Sequence, residues 1–231
     1  MNQSSNHIFV VGLTGSIGSG KSTISRKLKE KNIKVIDADI ISREVLVKNP
    51  KLKNEIKNAF GKDFFDDSDN LLRKKLGTFV FSDKEKKIDL EKIMIPYIIK
   101  DIFKKIEEYD NKGLDICIVD APTLIENNLH FYMNAIILVT VDKETQIKRI
   151  MLRDALTREE VTIRINSQMD QEEKIKYADF IINNSGNIET TMQQLEKVLK
   201  SLEDFRGKNG NKKETHSINY SIYNIDNHDK L

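Results

Sequence analysis

The sequence predicts an α/β architecture built on a doubly wound, five-stranded parallel sheet. Three observations carry that expectation. Short apolar runs rich in Val and Ile recur along the chain, stretches of 3.6-residue periodicity separate them, and the first run empties into a glycine-rich segment that opens a helix. At 231 residues the chain has room for one large domain or for a core with an inserted lobe.

The first strand is expected over Ile8–Leu13 (IFVVGL). Behind it, Gly15, Gly20, Lys21 and Ser22 satisfy G-x-x-x-x-G-K-[ST], and a helix follows over Ser22–Lys31. Strand, loop and helix in this order are what a phosphate cradle needs. Glycines let consecutive N–H groups point inward, the helix N-terminus adds positive potential, Lys21 reaches the terminal phosphates and the Ser22 hydroxyl can ligate Mg²⁺. The loop from Gly18 through Ser19, Gly20, Lys21 and Ser22 to Thr23 is therefore the expected nucleotide site.

The second strand, Lys34–Asp37 (KVID), ends at Asp37, with Asp39 just beyond it at a predicted helix start. Asp39 is either an N-cap or a carboxylate that accepts a proton from an acceptor hydroxyl, and the motif alone leaves both open. About seventy residues then separate this strand from the next, where a crossover needs only a dozen or more. Helical periodicity in LKNEIKNAF, LLRKKLGTFVF and KIDLEKIMIPYIIKDIFKKI marks the segment as a structured helical insertion, with Pro96 expected to break or kink the last helix. Placed at the carboxyl end of a strand, the insertion either holds a second substrate or only adds stability.

The third strand, Asp115–Asp120 (DICIVD), contains the single cysteine, Cys117, which reads as a small buried hydrophobe. A fourth strand is expected over Ala135–Val141 and a shorter fifth over Asp179–Asn184. Helices are expected over Lys143–Arg153 and Ile188–Leu202. Arg149 and Arg153 share one face of the first of these helices, either as a solvated surface or as a clamp on a transferring phosphoryl group. The Asn-, Lys- and Gly-rich tail, 206–231, is expected to be disordered, although INYSIY within it could pair with a sheet edge.

The composition narrows the partners. A net charge of +2, with 39% hydrophobic and 32% charged residues, gives no electrostatic argument for nucleic acid. No apolar run approaches the ~18 residues that span a bilayer, and MNQSSNH lacks the features of a signal peptide, so a cytoplasmic location is expected. Nothing in the sequence speaks to the oligomeric state. A guanine-nucleotide switch would carry N-K-x-D, which NKGLD (Asn111–Asp115) misses by one position, and D-x-x-G, where Asp120 is instead followed by APT.

GLTGSIGSGKST, VIDADIISRE, FG, LLRKKLGTFVFSD, DAPTLIE, QIKRIMLRD, RINSQM, EEKIKYAD and NNSG occur in this order. The ordered set resembles the dephospho-CoA kinase family from about Ile8 to Leu202. The resemblance implies a P-loop kinase core that uses ATP and Mg²⁺ to phosphorylate the ribose 3′-hydroxyl of dephospho-CoA, the last step of coenzyme A synthesis. It implies a core over 1–39 and 114–205, a lid near 149–170 and an acceptor-binding lobe over 40–113. By residue, it puts the triphosphate on Gly18 to Thr23, the general base on Asp39, lid roles on Arg153 and Arg149, and magnesium near Ser22 and Asp120. It also puts adenine near Asn184 and Gly186, and the acceptor near Asp37, Arg43 and Arg73. Three departures stand out: Ser16 where the family commonly has Gly, Ile95 where it has His, and Leu72 where it has an acidic residue. Another P-loop small-molecule kinase, for nucleosides or their monophosphates, is the alternative.

Overall fold

The computed structural model describes residues 7–81 and 83–209. Five strands, β1 (Phe9–Gly15), β2 (Lys34–Asp37), β3 (Ile116–Asp120), β4 (Ala135–Thr140) and β5 (Phe180–Asn183), form one sheet in the order β2-β3-β1-β4-β5. β1 pairs in parallel with β3 and β4, and β4 with β5. Every residue of β1 and β4 is buried, which is why both read as continuous apolar runs rather than alternating ones. The register sets Leu13 beside Asp120 on one flank of β1 and beside Ile137 on the other.

The helices are α1 (Lys21–Glu30), α2 (Ala38–Lys48), α3 (Pro50–Phe60), α4 (Arg73–Phe81), α5 (Lys84–Asn111), α6 (Lys143–Asp154), α7 (Arg158–Asn166), α8 (Gln171–Ile175) and α9 (Ile188–Asn209). The described chain forms two compact units, residues 7–36 with 106–209, and residues 37–105. No helix among the described residues is long and apolar enough to cross a membrane.

In the first unit, Ile24 and Leu28 of α1 and Leu195, Val198 and Leu202 of α9 close over Phe9, Val11, Leu13, Ile137, Val139 and Ile182 of the sheet. The spacing of these helical residues gives each helix one apolar stripe toward the strands. α9 runs on to Asn209, so Arg206 to Asn209, expected to begin the disordered tail, are helical. The reason is Phe205, which prolongs the stripe by one turn and meets the rings of Phe9 and Phe180 edge-on at centroid distances of 6.4 and 5.7 Å. The remainder of the expected tail, INYSIY included, lies outside the described residues. Cys117 is fully buried in β3; burial, followed by the nearby Asp110 charge, pushes its thiol pKa up to about 12.

The second unit packs Val45, Leu46, Leu52, Ile56, Phe64, Leu76, Val80 and Tyr97 into its own core. Of the two outcomes expected at Pro96, the break does not occur, and α5 runs through it. Proline removes one backbone donor, but Ile93, Met94, Tyr97 and Ile98 on both sides of it pack into this core and carry the helix across the gap.

Candidate active site

The loop between β1 and α1 is shaped by its glycines. Gly18 and Gly20 have φ of 76° and 84°, the left-handed region that disfavours a side chain. At Gly20 space forbids one as well, since a Cβ there would lie 2.0 Å from Asn184 Nδ2. The Asn184 amide occupies that space because it donates to the Ser19 carbonyl at 2.8 Å, while its own Oδ1 accepts from Thr191 Oγ1 at 2.9 Å. Asn184, expected beside adenine, is thus a buried strut under the loop backbone. Gly186 follows in the turn after β5, where a Cβ would meet nothing within 4 Å.

Lys21 opens α1 and forms an ion pair with Asp120, the last residue of β3. Both side chains are largely buried. The pairing follows from topology: Asp120 stands level with Leu13 on the adjacent strand, two residues before β1 ends. Ser22 is exposed in the first turn of α1. Around the loop, Ser16 Oγ, Ser19 Oγ and Arg149 Nη1 are buried without hydrogen-bond partners. Arg149 Nη1 would stand 3.8 Å from a Cβ on Gly20, so it reaches the loop from α6. Unpaired buried donors are costly, and this set, two in the loop and one beside Gly20, is suited to oxyanions.

Arg153 is arranged differently. Its guanidinium grips Asp154 through Nε and Nη2 at 2.8 and 3.0 Å, and this bond, foremost among the causes, raises its pKa. Arg164 of α7 reaches the same carboxylate at 3.0 Å. Arg158, also on α7, forks onto Glu144. Such exposed pairs exchange easily, so these arginines can turn to a phosphate without a large penalty.

Two glutamines with no role assigned from sequence hold the loop tip. Ile17 N–H donates to Gln168 Oε1 at 2.8 Å, and Gln146 Nε2 donates to the Ile17 carbonyl at 2.7 Å. The Ile17 side chain packs with Ile147, Ile150 and Val161, binding α6, α7 and the loop through one small core. Gln146 heads QIKRIMLRD and Gln168 lies in RINSQM, yet their bonds to Ile17, 129 and 151 residues away, leave no local pattern in the sequence.

In the second unit, Asp37 caps α2. Its Oδ1 accepts from the N–H groups of Asp39 and Ile40 at 3.0 and 3.1 Å. The cap considered for Asp39 therefore belongs to Asp37, whose extended backbone suits it; Asp39 sits within the first turn. Arg73 Nη2 donates to the Arg43 carbonyl at 2.6 Å, which brings these two predicted residues together. Burial first, then the Arg43 charge, lowers the Arg73 pKa. An open cavity of about 480 Å³ borders Leu72, Arg73, Lys74, Lys75 and Thr78.

Among the described residues, no group of three or more His, Cys, Asp or Glu side chains could hold a metal ion. Mg²⁺ does not need one, because it keeps several waters and takes one or two protein donors beside substrate phosphates. Asp120 and Ser22, at the two sides of Lys21, fit that modest demand.

A Lys-bearing loop of this shape, rising from the central strand of a parallel sheet toward a carboxylate on the next strand, defines a P-loop nucleoside-triphosphate-binding protein. The comparisons narrow the class. The dephospho-CoA kinase family model matches residues 9–190. A dephospho-CoA kinase of Clostridium perfringens is 46% identical over 189 residues, 82% of this chain and 95% of that protein. Among solved structures, the dephospho-CoA kinase from Campylobacter jejuni is 31% identical with a TM-score of 0.65, covering 84% of this chain and 97% of that one. TT1252 from Thermus thermophilus is 30% identical with a TM-score of 0.72, covering 85% and 98%. The chain belongs to the dephospho-CoA kinase family, and it is a kinase.

Proposed function

We propose that this protein transfers the γ-phosphoryl group of ATP to the ribose 3′-hydroxyl of dephospho-CoA, giving ADP and CoA in the cytoplasm. The observation that carries the proposal is the cradle itself: Lys21 on Asp120, with buried, unpaired hydroxyls of Ser16 and Ser19 in the same loop and Arg149 Nη1 reaching Gly20. These groups have unmet capacity for anionic oxygens in a site whose topology favours a triphosphate.

In this reading the N–H groups from Gly18 to Thr23 wrap the β-phosphate, and Lys21 leaves Asp120 to bridge the transferring group. Arg149 is already at the loop, while Arg153 is recruited from Asp154 when charge develops on the phosphoryl oxygens. Asp120 and Ser22 would hold Mg²⁺, which when bound neutralises phosphate charge. Asp39 takes the proton of the attacking hydroxyl, with Asp37 keeping the turn that carries it in place. Arg43 and Arg73, two cations whose repulsion an anion would relieve, receive the acceptor's phosphates within an acceptor lobe spanning 40–113. The segment near 149–170 acts as the lid on a core of 1–39 and 114–205. Asn184 and Gly186 stand beside adenine, and Asn184 also braces the loop through the Ser19 carbonyl.

The test is an ADP-release assay with ATP, Mg²⁺ and a panel of dephospho-CoA, adenosine, uridine, AMP, CMP and shikimate. Dephospho-CoA should give the highest turnover over KM. Release driven only by a nucleoside or a monophosphate would assign the protein to another acceptor.

A further inference from the structure

Lys174 of α8 is fully buried, an unusual situation for a lysine. Its Nζ lies 2.8 Å from Glu126 Oε1 and donates to the Pro122 carbonyl at 3.0 Å. That carbonyl is shared, since Thr14 Oγ1 also donates to it at 3.1 Å. Thr14 is itself fully buried near the end of β1. One residue earlier, Ala121 N–H donates to the Leu13 carbonyl at 3.0 Å. The backbone that leaves β3 immediately after Asp120 is therefore pinned three times, twice by β1 and once by a buried cation.

Desolvating an ion pair costs enough that apolar residues of the same volume often serve stability as well or better. The pair's value then lies in what it holds still. We infer that Lys174, steadied by Glu126, is a positioning residue for Asp120: by fixing the peptide at Pro122 it aims the Asp120 carboxylate at Lys21 and at the metal-binding position. This inference rests on the proposed role of Asp120. It extends the site to a residue far along the chain that touches neither nucleotide nor acceptor. Outer partners that orient a metal ligand typically matter 10–100-fold in metal affinity or activity.

The experiment measures ADP binding by calorimetry with and without Mg²⁺, and takes their ratio as the metal-dependent gain. The variants are K174M/E126Q, which removes both charges together, T14V, which removes the second donor to Pro122, and D120N. D120N should abolish the gain. K174M/E126Q should lower it by about tenfold, with metal-free ADP affinity changed less than about threefold because the loop N–H groups are untouched. T14V, nearly isosteric, should lower it in the same direction by a smaller factor. An unchanged gain in folded K174M/E126Q overturns the inference; if that variant does not fold, an unchanged gain in T14V does so. Persistence of the gain in D120N would instead overturn the role given to Asp120, a separate failure.

Discussion

Asn184 donates its side-chain amide to the Ser19 carbonyl at 2.8 Å, joining the turn after β5 to the phosphate loop after β1. The same amide fills the space that a Cβ on Gly20 would need. Loop shape and strut are therefore one feature, and Asn184→Ala removes it. The Ser19 carbonyl would lose its buried side-chain partner, at about 1–3 kcal/mol for a buried polar group left unsatisfied, while Thr191 Oγ1 keeps the Asn187 carbonyl at 3.1 Å. ADP affinity should fall about tenfold and the melting temperature by several degrees. Calorimetry and thermal unfolding on the same preparation check both, and affinity within twofold of the parent would contradict the strut role.

Lys21→Ala should abolish measurable phosphoryl transfer. The sequence alone suggests a lysine that faces only phosphate, yet the structure pairs it with the largely buried Asp120. The substitution should therefore also destabilise the nucleotide-free protein, on the order of 2 kcal/mol for a buried group losing its partner. Urea unfolding of parent and variant measures this. Equal midpoints would mean that Asp120 is solvated whenever Lys21 is absent.

Much of the core was legible in the sequence, and the reasons are local. β1 and β4 announce themselves because both faces of each strand are buried. Gly15, Gly20, Lys21 and Ser22 are adjacent in sequence because one loop must wrap one phosphate chain. Contacts between distant segments left no such trace. The Gln168–Ile17 bond, the Asn184–Ser19 bond and the Lys174–Pro122 bond link positions 151, 165 and 52 residues apart, and no periodicity records such pairings. α5 continues through Pro96 because apolar burial on both sides sustains it, a tertiary support that proline's effect on an isolated helix leaves out. The Asp37 cap was missed because a strand end and a helix cap fall on a single residue.

Cys117 links pH to stability. In the unfolded chain the thiol ionises around its ordinary value of 9.0, while burial holds it protonated up to about 12 in the fold. Between those values the folded state keeps a proton that the unfolded state has released, so this residue's effect is to lower stability as pH rises from 9 toward 12. Urea midpoints at pH 8 and pH 10 should separate more for the parent than for Cys117→Ala. At pH 8, a thiol reagent should label Cys117 only after urea is added. Rapid labelling of the native protein would contradict its burial.

Asp39 and Asp37 are distinguished by one matched pair of substitutions. Asn caps helices about as well as Asp, so Asp37→Asn should keep the turn and most of the turnover. Asp39→Asn removes the proposed proton acceptor and should slow the chemical step by about 10²–10⁴-fold, with ATP affinity and melting temperature little changed. Single-turnover quench measurements read the chemical step directly. A loss below about tenfold at Asp39 would remove it from the role of base.

The central claim is the fate of one phosphoryl group, and γ-labelled ATP follows it. Incubated with the protein, Mg²⁺ and dephospho-CoA, the label should pass to dephospho-CoA mole for mole with the ADP formed. The labelled product should co-migrate with CoA and release its label to a 3′-nucleotidase. Label recovered as inorganic phosphate, or carried on a competing nucleoside while dephospho-CoA stays unlabelled, would contradict the account.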